Sequence, residues 1–215
     1  MINASALDNG LHAGDLKFVD LDGNNKIEQT TSANDRKDMK VIGNSLPRYN
    51  YNFGISADWY GIDFSVLFQG IGKQNWYPGA ETSMFWGPYS RPYASFIPSD
   101  FMSQVWSEEN TDAYFPRPRG YVALGSNREL AVVNTKYLQN LAYCRLKNLS
   151  IGYTLPDKWL SKIGFEKIRV YFSGENLLTF TKLHSDYIDP EQASASNSWK
   201  TSKSDANIYP WAKTY

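Results

Sequence analysis

The sequence predicts an all-β chain. It reads as a section of an antiparallel, up-and-down transmembrane β-barrel, with about four complete long strands, two long extracellular loops and no closure of its own. Three observations predict this. Residues 48–70 alternate between apolar and polar side chains. Both arms of that alternation are long, and aromatic residues sit at the two ends of the first, Tyr49 and Tyr51 against Trp59 and Tyr60. The connections between long strands are short on one side and long on the other.

Residues 1–47 are polar and rich in Gly, Asn and Asp, and are expected to form an extracellular loop. Leu16-Lys17-Phe18-Val19 is expected to add one short strand. The hairpin 48–70 follows. Tyr49, Tyr51, Phe53, Ile55, Ala57 and Trp59 alternate with Arg48, Asn50, Asn52, Gly54, Ser56 and Asp58. After Tyr60-Gly61 the phase changes. Ile62, Phe64, Val66 and Phe68 then take the apolar side, with Asp63, Ser65 and Gln69 opposite and Leu67 as the exception. Side chains in a strand point alternately to opposite faces, so this hairpin has one greasy and one wet face. Ten residue steps of ~3.3 Å, tilted about 45°, rise roughly 23 Å, which matches the apolar band of an outer-membrane barrel. On this orientation Phe53, Ile55, Phe64 and Val66 face lipid, and Asn52, Ser56, Asp63 and Ser65 face the lumen.

Residues 71–140 show no sustained period and are dense in Trp, Tyr, Pro and Ser, as in a long extracellular loop. A strand pair with a periplasmic turn is expected over 141–176. Leu149, Ile151, Tyr153 and Leu155 alternate with Asn148, Ser150, Gly152 and Thr154 until Pro156, which lacks a donor for the ladder. The segment 156–165 reads as a short capped helical turn stopped by Gly164. Lys158, Trp159 and Lys162 within it suit a membrane interface. Ile168, Val170 and Phe172 then alternate with Arg169, Tyr171 and Ser173. Residues 177–208 form a further extracellular loop, and 209–215 begin a last strand.

Composition agrees. No apolar run is long enough for a membrane helix. Formal net charge is zero, which gives no pull toward nucleic acid. The fifteen Tyr, eleven Phe and seven Trp suit barrel girdles or sugar-binding surfaces. Cys144 is the one cysteine, so no internal disulfide forms. The first eighteen residues lack the basic and apolar regions of a signal peptide.

Two groups of residues carry candidate chemistry. In 20–28, Asp20, Asp22 and Asn24 stand at calcium-loop positions one, three and five, Lys26 offers its carbonyl, and Glu28 falls at nine. Asn25 takes the tight-turn place of Gly, and Thr31 stands where a bidentate carboxylate is wanted. The plain alternative is an Asx-rich surface turn held by its own side chains. In the long loop, Trp76, Tyr77, Trp86, Tyr89, Tyr93 and Trp106 are candidates to stack on a ligand or partner, or else to pack the loop. His12 and His184 lie in separate loops with no nucleophile beside them, and no phosphate cradle or thiol site is present, so no enzyme is expected.

Several stretches together resemble one family, the SusC/RagA type of TonB-linked outer-membrane transporters. They are GDLKFVDLDGNNKI (14–27), the Asp-Arg, Ile-Gly-Asn and hairpin block of 35–70, VWSEENTDAYFPR (105–117), 137–156, 168–182 and Asp186-Tyr187-x-Asp189-Pro190-Glu191. Cys144 departs from the family's larger apolar residue. The resemblance implies a C-terminal barrel fragment that lacks the plug and the TonB-contacting segment. It implies an outer-membrane setting, uptake of glycan or peptide fragments, a SusD-like surface lipoprotein and the TonB complex as partners, and no nucleic acid. The reading from another class is a soluble β-sandwich that binds carbohydrate.

Overall fold

The computed structural model describes residues 12–30, 32, 34–90, 97–125, 128–161, 164–199 and 211–215. They fall in two compact units. The wall unit takes Asn44–Trp76, Gln139–Trp199 and the C-terminal residues. The loop unit takes the residues before Asn44 together with Tyr77–Leu138.

The wall unit is a four-stranded antiparallel sheet. Its long strands are β1 (Arg48–Trp59), β2 (Ile62–Lys73), β5 (Tyr143–Thr154) and β6 (Arg169–Thr181), in the order β1-β2-β5-β6. A two-stranded ribbon, β3 (Asn75–Trp76) with β4 (Gln139–Asn140), lies between β2 and β5 in the chain. Leu16–Val19 forms no strand. Its residues alternate, but none of them joins a ladder. The sheet is open, and the described residues do not close a barrel.

Tyr60 and Gly61 make the β1–β2 turn with φ of 47° and 84°. Two positive φ values in succession are what a two-residue hairpin needs to match the twist of its arms. A Cβ on Gly61 would come within 2.8 Å of the Thr154 carbonyl, so glycine fits for space as well. The β5–β6 connection contains α1 (Asp157–Leu160, one turn), with Pro156 before it in extended backbone. No side chain caps this turn, contrary to the sequence reading. Gly164 has a φ of 75°, and Lys162 lies outside the described residues.

Register sorts the sheet into two faces. Across all four strands run the rows Trp59–Ile62–Tyr153–Val170, Ala57–Phe64–Ile151–Phe172 and Phe53–Phe68–Leu146–Leu178. On the other face run Ser56–Ser65–Ser150–Ser173 and Asn52–Gln69–Arg145–Thr179. Most of the apolar rows are uncovered: Val170 is 65% exposed, Phe172 47% and Phe180 61%, whereas Val66 and Leu146, on the two central strands, are buried.

Keeping these rows required irregularities. Lys147 is an extra residue on β5 between partners Leu67 and Phe68 of β2, and β6 carries a further extra residue opposite it. Such bulges shift the alternation by one. Cys144 and Leu146 thereby share a face with Leu149 and Ile151, although their numbers are of opposite parity. Asn176 supplies the left-handed residue of the β6 irregularity, with a φ of 54°.

Two glycines let side chains cross a strand. Asp63 on β2 reaches Arg169 on β6 over Gly152 of β5, with Nε–Oδ1 at 2.8 Å and Nη2–Oδ2 at 2.5 Å. A Cβ at Gly152 would sit 2.5 Å from that Asp63 oxygen. Likewise the Tyr51 hydroxyl passes over Gly70 to donate to the Tyr143 carbonyl at 2.8 Å. A Cβ at Gly70 would meet that carbonyl within 2.1 Å. Gly70→Ala is therefore expected to destabilise the sheet by about 1–3 kcal/mol, the usual range for overpacking. Gly54→Ala, whose nearest atom is 3.2 Å away, is expected to cost much less. Thermal unfolding of the purified protein carrying each change measures the difference.

Candidate functional site

The loop unit has a core of its own. Phe85, Trp86, Tyr89, Phe101, Phe115 and Tyr137 are buried and pack edge-on or stacked, with ring centroids from 4.7 to 6.5 Å apart. Aromatic rings favour these arrangements because their faces are negative and their edges positive. Each buried polar tip finds an acceptor. The Tyr77 hydroxyl donates to the Leu130 carbonyl at 2.8 Å, Tyr137 to the Tyr114 carbonyl at 3.0 Å, Tyr89 to the Pro116 carbonyl, and the Trp86 indole to the Pro78 carbonyl at 3.3 Å. Burial pushes the hydroxyls of Tyr77, Tyr89 and Tyr137 well above the ordinary tyrosine range, so they stay neutral donors.

This corrects the reading of the loop aromatics. Tyr77, Trp86 and Tyr89 are interior to the loop unit, and Trp76 is buried in β3 of the wall unit. Their rings are already covered, so none offers a free face for a ligand to stack on. Trp106 is half-buried, and Tyr93 lies outside the described residues. Burial was invisible in the sequence because these aromatics follow no period.

Two sequence motifs meet here. Gly14 has a φ of 86°, and a Cβ on it would stand 2.4 Å from the Trp106 indole. The ring thus lies directly on the glycine. Beside it, Arg117 Nε donates to Asp15 Oδ1 at 2.6 Å, and the Arg117 amide donates to the Gly14 carbonyl at 3.0 Å. The Asp15 side chain is 2% exposed, and its other oxygen accepts the His12 amide. Gly-Asp and Trp…Pro-Arg, some ninety residues apart, form one joint. The Ser107–Asn110 turn within it is closed by Asn110, whose amide hydrogen-bonds to Ser107 and whose side chain donates to the Ser103 carbonyl.

The acidic loop holds three carboxylates together. Asp20, Asp22 and Asp38 each present an oxygen within 4.8 Å of the others. Asp20 accepts the Gly23 and Asn25 amides at 2.6 and 2.7 Å, and Asp38 accepts those of Leu21 and Glu28, both at 2.7 Å. Desolvation acts to raise the Asp20 carboxyl, but its backbone hydrogen bonds outweigh this and hold it below the usual carboxylate range. Asn25 adopts a φ of 59° at the tight-turn position. Of the expected ligands, Asn24 turns its oxygen to the Lys26 amide, and Glu28 lies 3.7 Å from Lys37. Asp38 was missed, because it lies beyond the calcium-loop spacing; Asp35, nearer in sequence, pairs with Lys37 at 3.4 Å. Thr31 lies outside the described residues. Oxygen-only donors of this kind suit a hard divalent cation.

The wall unit carries a buried ionic cluster that sequence reasoning did not find. Arg145 is 2% exposed. Its Nε donates to Thr179 Oγ1 at 2.9 Å, Nη1 to Glu191 at 2.9 Å and Nη2 to Asp189 at 2.6 Å. Lys147 adds a bond to Glu191 at 2.9 Å and lies 5.0 Å from the Trp211 ring centroid. Asp189 also starts the helix α2 (Pro190–Trp199), its Oδ1 accepting the Glu191 and Gln192 amides. Asp at N-cap with Pro next is a strong helix start. The helix lies in the segment read as loop 177–208.

No family model matches the sequence. The chain is 34% identical over 176 residues to TonB-dependent receptor P3 of Formosa agariphila, covering 81% of this chain and 15% of that protein. It is 27% identical over 192 residues to TonB-dependent receptor P26 of the same organism, covering 88% of this chain and 17% of the relative. Among solved structures it is similar to the RagAB peptide importer in its closed-closed state. The TM-score is 0.52 at 22% identity, over 86% of this chain and 18% of that one. The chain therefore spans less than a fifth of the length of these relatives.

Replacing Arg117 by Met leaves the enclosed Asp15 carboxylate without its cation. The expected cost is roughly 1–3 kcal/mol, that of stranding a buried polar group. Amide hydrogen exchange should rise around Trp106 and Gly14 and stay unchanged in β1 and β2.

Proposed function

The chain belongs to the TonB-dependent receptors, and on that premise we propose that it is of the SusC/RagA type and supplies part of the barrel wall and surface loops of an outer-membrane transporter. The transporter imports glycan or peptide fragments together with a SusD-like lipoprotein. Its energy comes from the TonB complex through a part of the receptor outside these residues. The observation that carries the proposal is the uncovered apolar face. Its rows continue across four strands of twelve or thirteen residues. Such a face in water would be an aggregation surface. Against lipid it is an ordinary barrel exterior. Exposed aromatics gather at the turn end, where Trp59, Tyr60, Trp159 and Phe165 are exposed, as an interfacial girdle requires. The short turns then face the periplasm and the long connections face outward.

A soluble carbohydrate-binding sandwich would cover this face with a second sheet. Among the described residues the only other sheet is the two-residue ribbon β3–β4. Within the loop unit, half-buried Trp106 is the remaining aromatic candidate for contact with cargo or lipoprotein.

Two tests follow. Phe172→Arg puts a charge on the lipid side one row in from the turn-end girdle, at an expected cost between the ~0–1 kcal/mol of the interface and the ~2–4 kcal/mol of the bilayer midplane. Ser173→Arg, one residue on, points to the wet side and is expected to be tolerated. Outer-membrane levels of folded, heat-modifiable receptor should fall for the first and not for the second. Equal effects would count against the wall. The acidic loop is proposed to hold Ca2+ through Asp20, Asp22 and Asp38. Calorimetric titration of chelator-treated receptor with CaCl2 should give a site that Asp38→Asn weakens at least tenfold and Glu28→Gln leaves alone. Equal affinity in wild type and Asp38→Asn would remove Asp38 from the site.

A further inference from the structure

Arg145 lies in the row Asn52–Gln69–Arg145–Thr179, on the wet face of the sheet. Its neighbours in sequence, Cys144 and Leu146, lie in apolar rows. The guanidinium therefore meets Asp189 and Glu191 on the wet side. The first turn of α2 is fastened there as well, because Asp189 is both the partner of Arg145 and the cap of that helix. The bulge at Lys147 brings a second cation to the same carboxylate, Glu191. Beyond the first turn, Ala193 is fully buried and Ser194 is 5% exposed. The segment read from sequence as an outward loop is held against the inner side of the wall.

We propose that residues 189–199 form an ionically latched strap that narrows the transport path at the surface end of the barrel. This rests on the wall reading above. The chemistry favours a latch over simple packing. Arg145 uses all three of its nitrogens on separate acceptors from β6 and α2. Such a fork fits one arrangement and loses several bonds together when it opens. Apolar packing would hold a helix here with less orientational demand. The strap itself, PEQASASNSW, is polar and rich in small residues. In its first five residues, Pro190–Ser194, Pro190 and Ala193 are the apolar side chains, so opening of this part is opposed only weakly by the hydrophobic effect.

The test uses the intact receptor in the outer membrane of living cells, with its other cysteines replaced by serine. Ser194→Cys is labelled from outside with a membrane-impermeant maleimide. With Arg145 present, labelling is expected to be slow. Arg145→Met should accelerate it at least tenfold. Asp189→Asn is the second variant. Asparagine caps a helix as well as aspartate does, so the helix start survives while the charge that Arg145 grips is removed. It should accelerate labelling as well. Labelling of both variants within twofold of the parent, with the receptor still heat-modifiable, would overturn the strap. Ile55→Cys on the apolar face is the control for the wall itself. Rapid reaction of that cysteine with the aqueous reagent would overturn the wall reading, and the strap with it.

Discussion

A sheet with one greasy and one wet face tolerates no slip in register. Side chains repeat every two residues, so a shift of one turns every apolar group to the opposite side. Everything else in the wall unit depends on meeting that constraint over four long strands. β1 and β2 meet it by plain alternation, fixed by the two positive φ values at Tyr60-Gly61. β5 and β6 meet it only with inserted residues, at Lys147 and around Asn176. Without the bulge, Leu146 and Cys144 would turn to the wet face, and Arg145 would turn to the apolar one. The bulge thus keeps that face apolar and brings Lys147 to the carboxylate that Arg145 also grips.

Small residues serve the same end. Gly152 and Gly70 carry no side chain because other side chains cross at those points. The Asp63–Arg169 pair ties β2 to β6, and Tyr51 ties β1 to β5. Each tie skips a strand, so each couples the register of strands that share no ladder. The loop unit is stabilised differently. It has few backbone ladders, and its order comes from interlocked rings whose hydroxyls and indole are satisfied by carbonyls. A long connection without regular structure becomes a defined object when its aromatics bury one another.

Legibility in the sequence followed periodicity closely. The first hairpin could be read because no bulge interrupts its central stretch. Its second arm runs on to Lys73, past the point where Gly70 and Gly72 leave the pattern blank. The faces of β5's first residues were hidden, since Cys144 and Leu146 sit out of phase with Leu149 and Ile151. Helix α2 was hidden because PEQASASNSW has no apolar stripe, and only Asp189-Pro190 gave a start signal. In the loop, the aromatics were conspicuous but their burial was not, since tertiary packing alone decides it. Motifs could be recognised singly, whereas the contact of Gly14 with Trp106 and of Asp15 with Arg117 needed coordinates. At the acidic loop, spacing identified Asp20 and Asp22 and missed Asp38, which arrives from beyond the loop.

The central claim is that one face of this sheet meets lipid and the other meets water. Nitroxide labels placed singly along β6, from Val170 to Phe180, in receptor reconstituted in bilayers, test it most directly. Collision with oxygen should dominate at 170, 172, 178 and 180, and collision with an aqueous nickel reagent at 171, 173 and 179, in the same phase on both sides of the irregularity at 176–177. Aqueous access at 172 and 180 equal to that at 173 and 179 would contradict the wall.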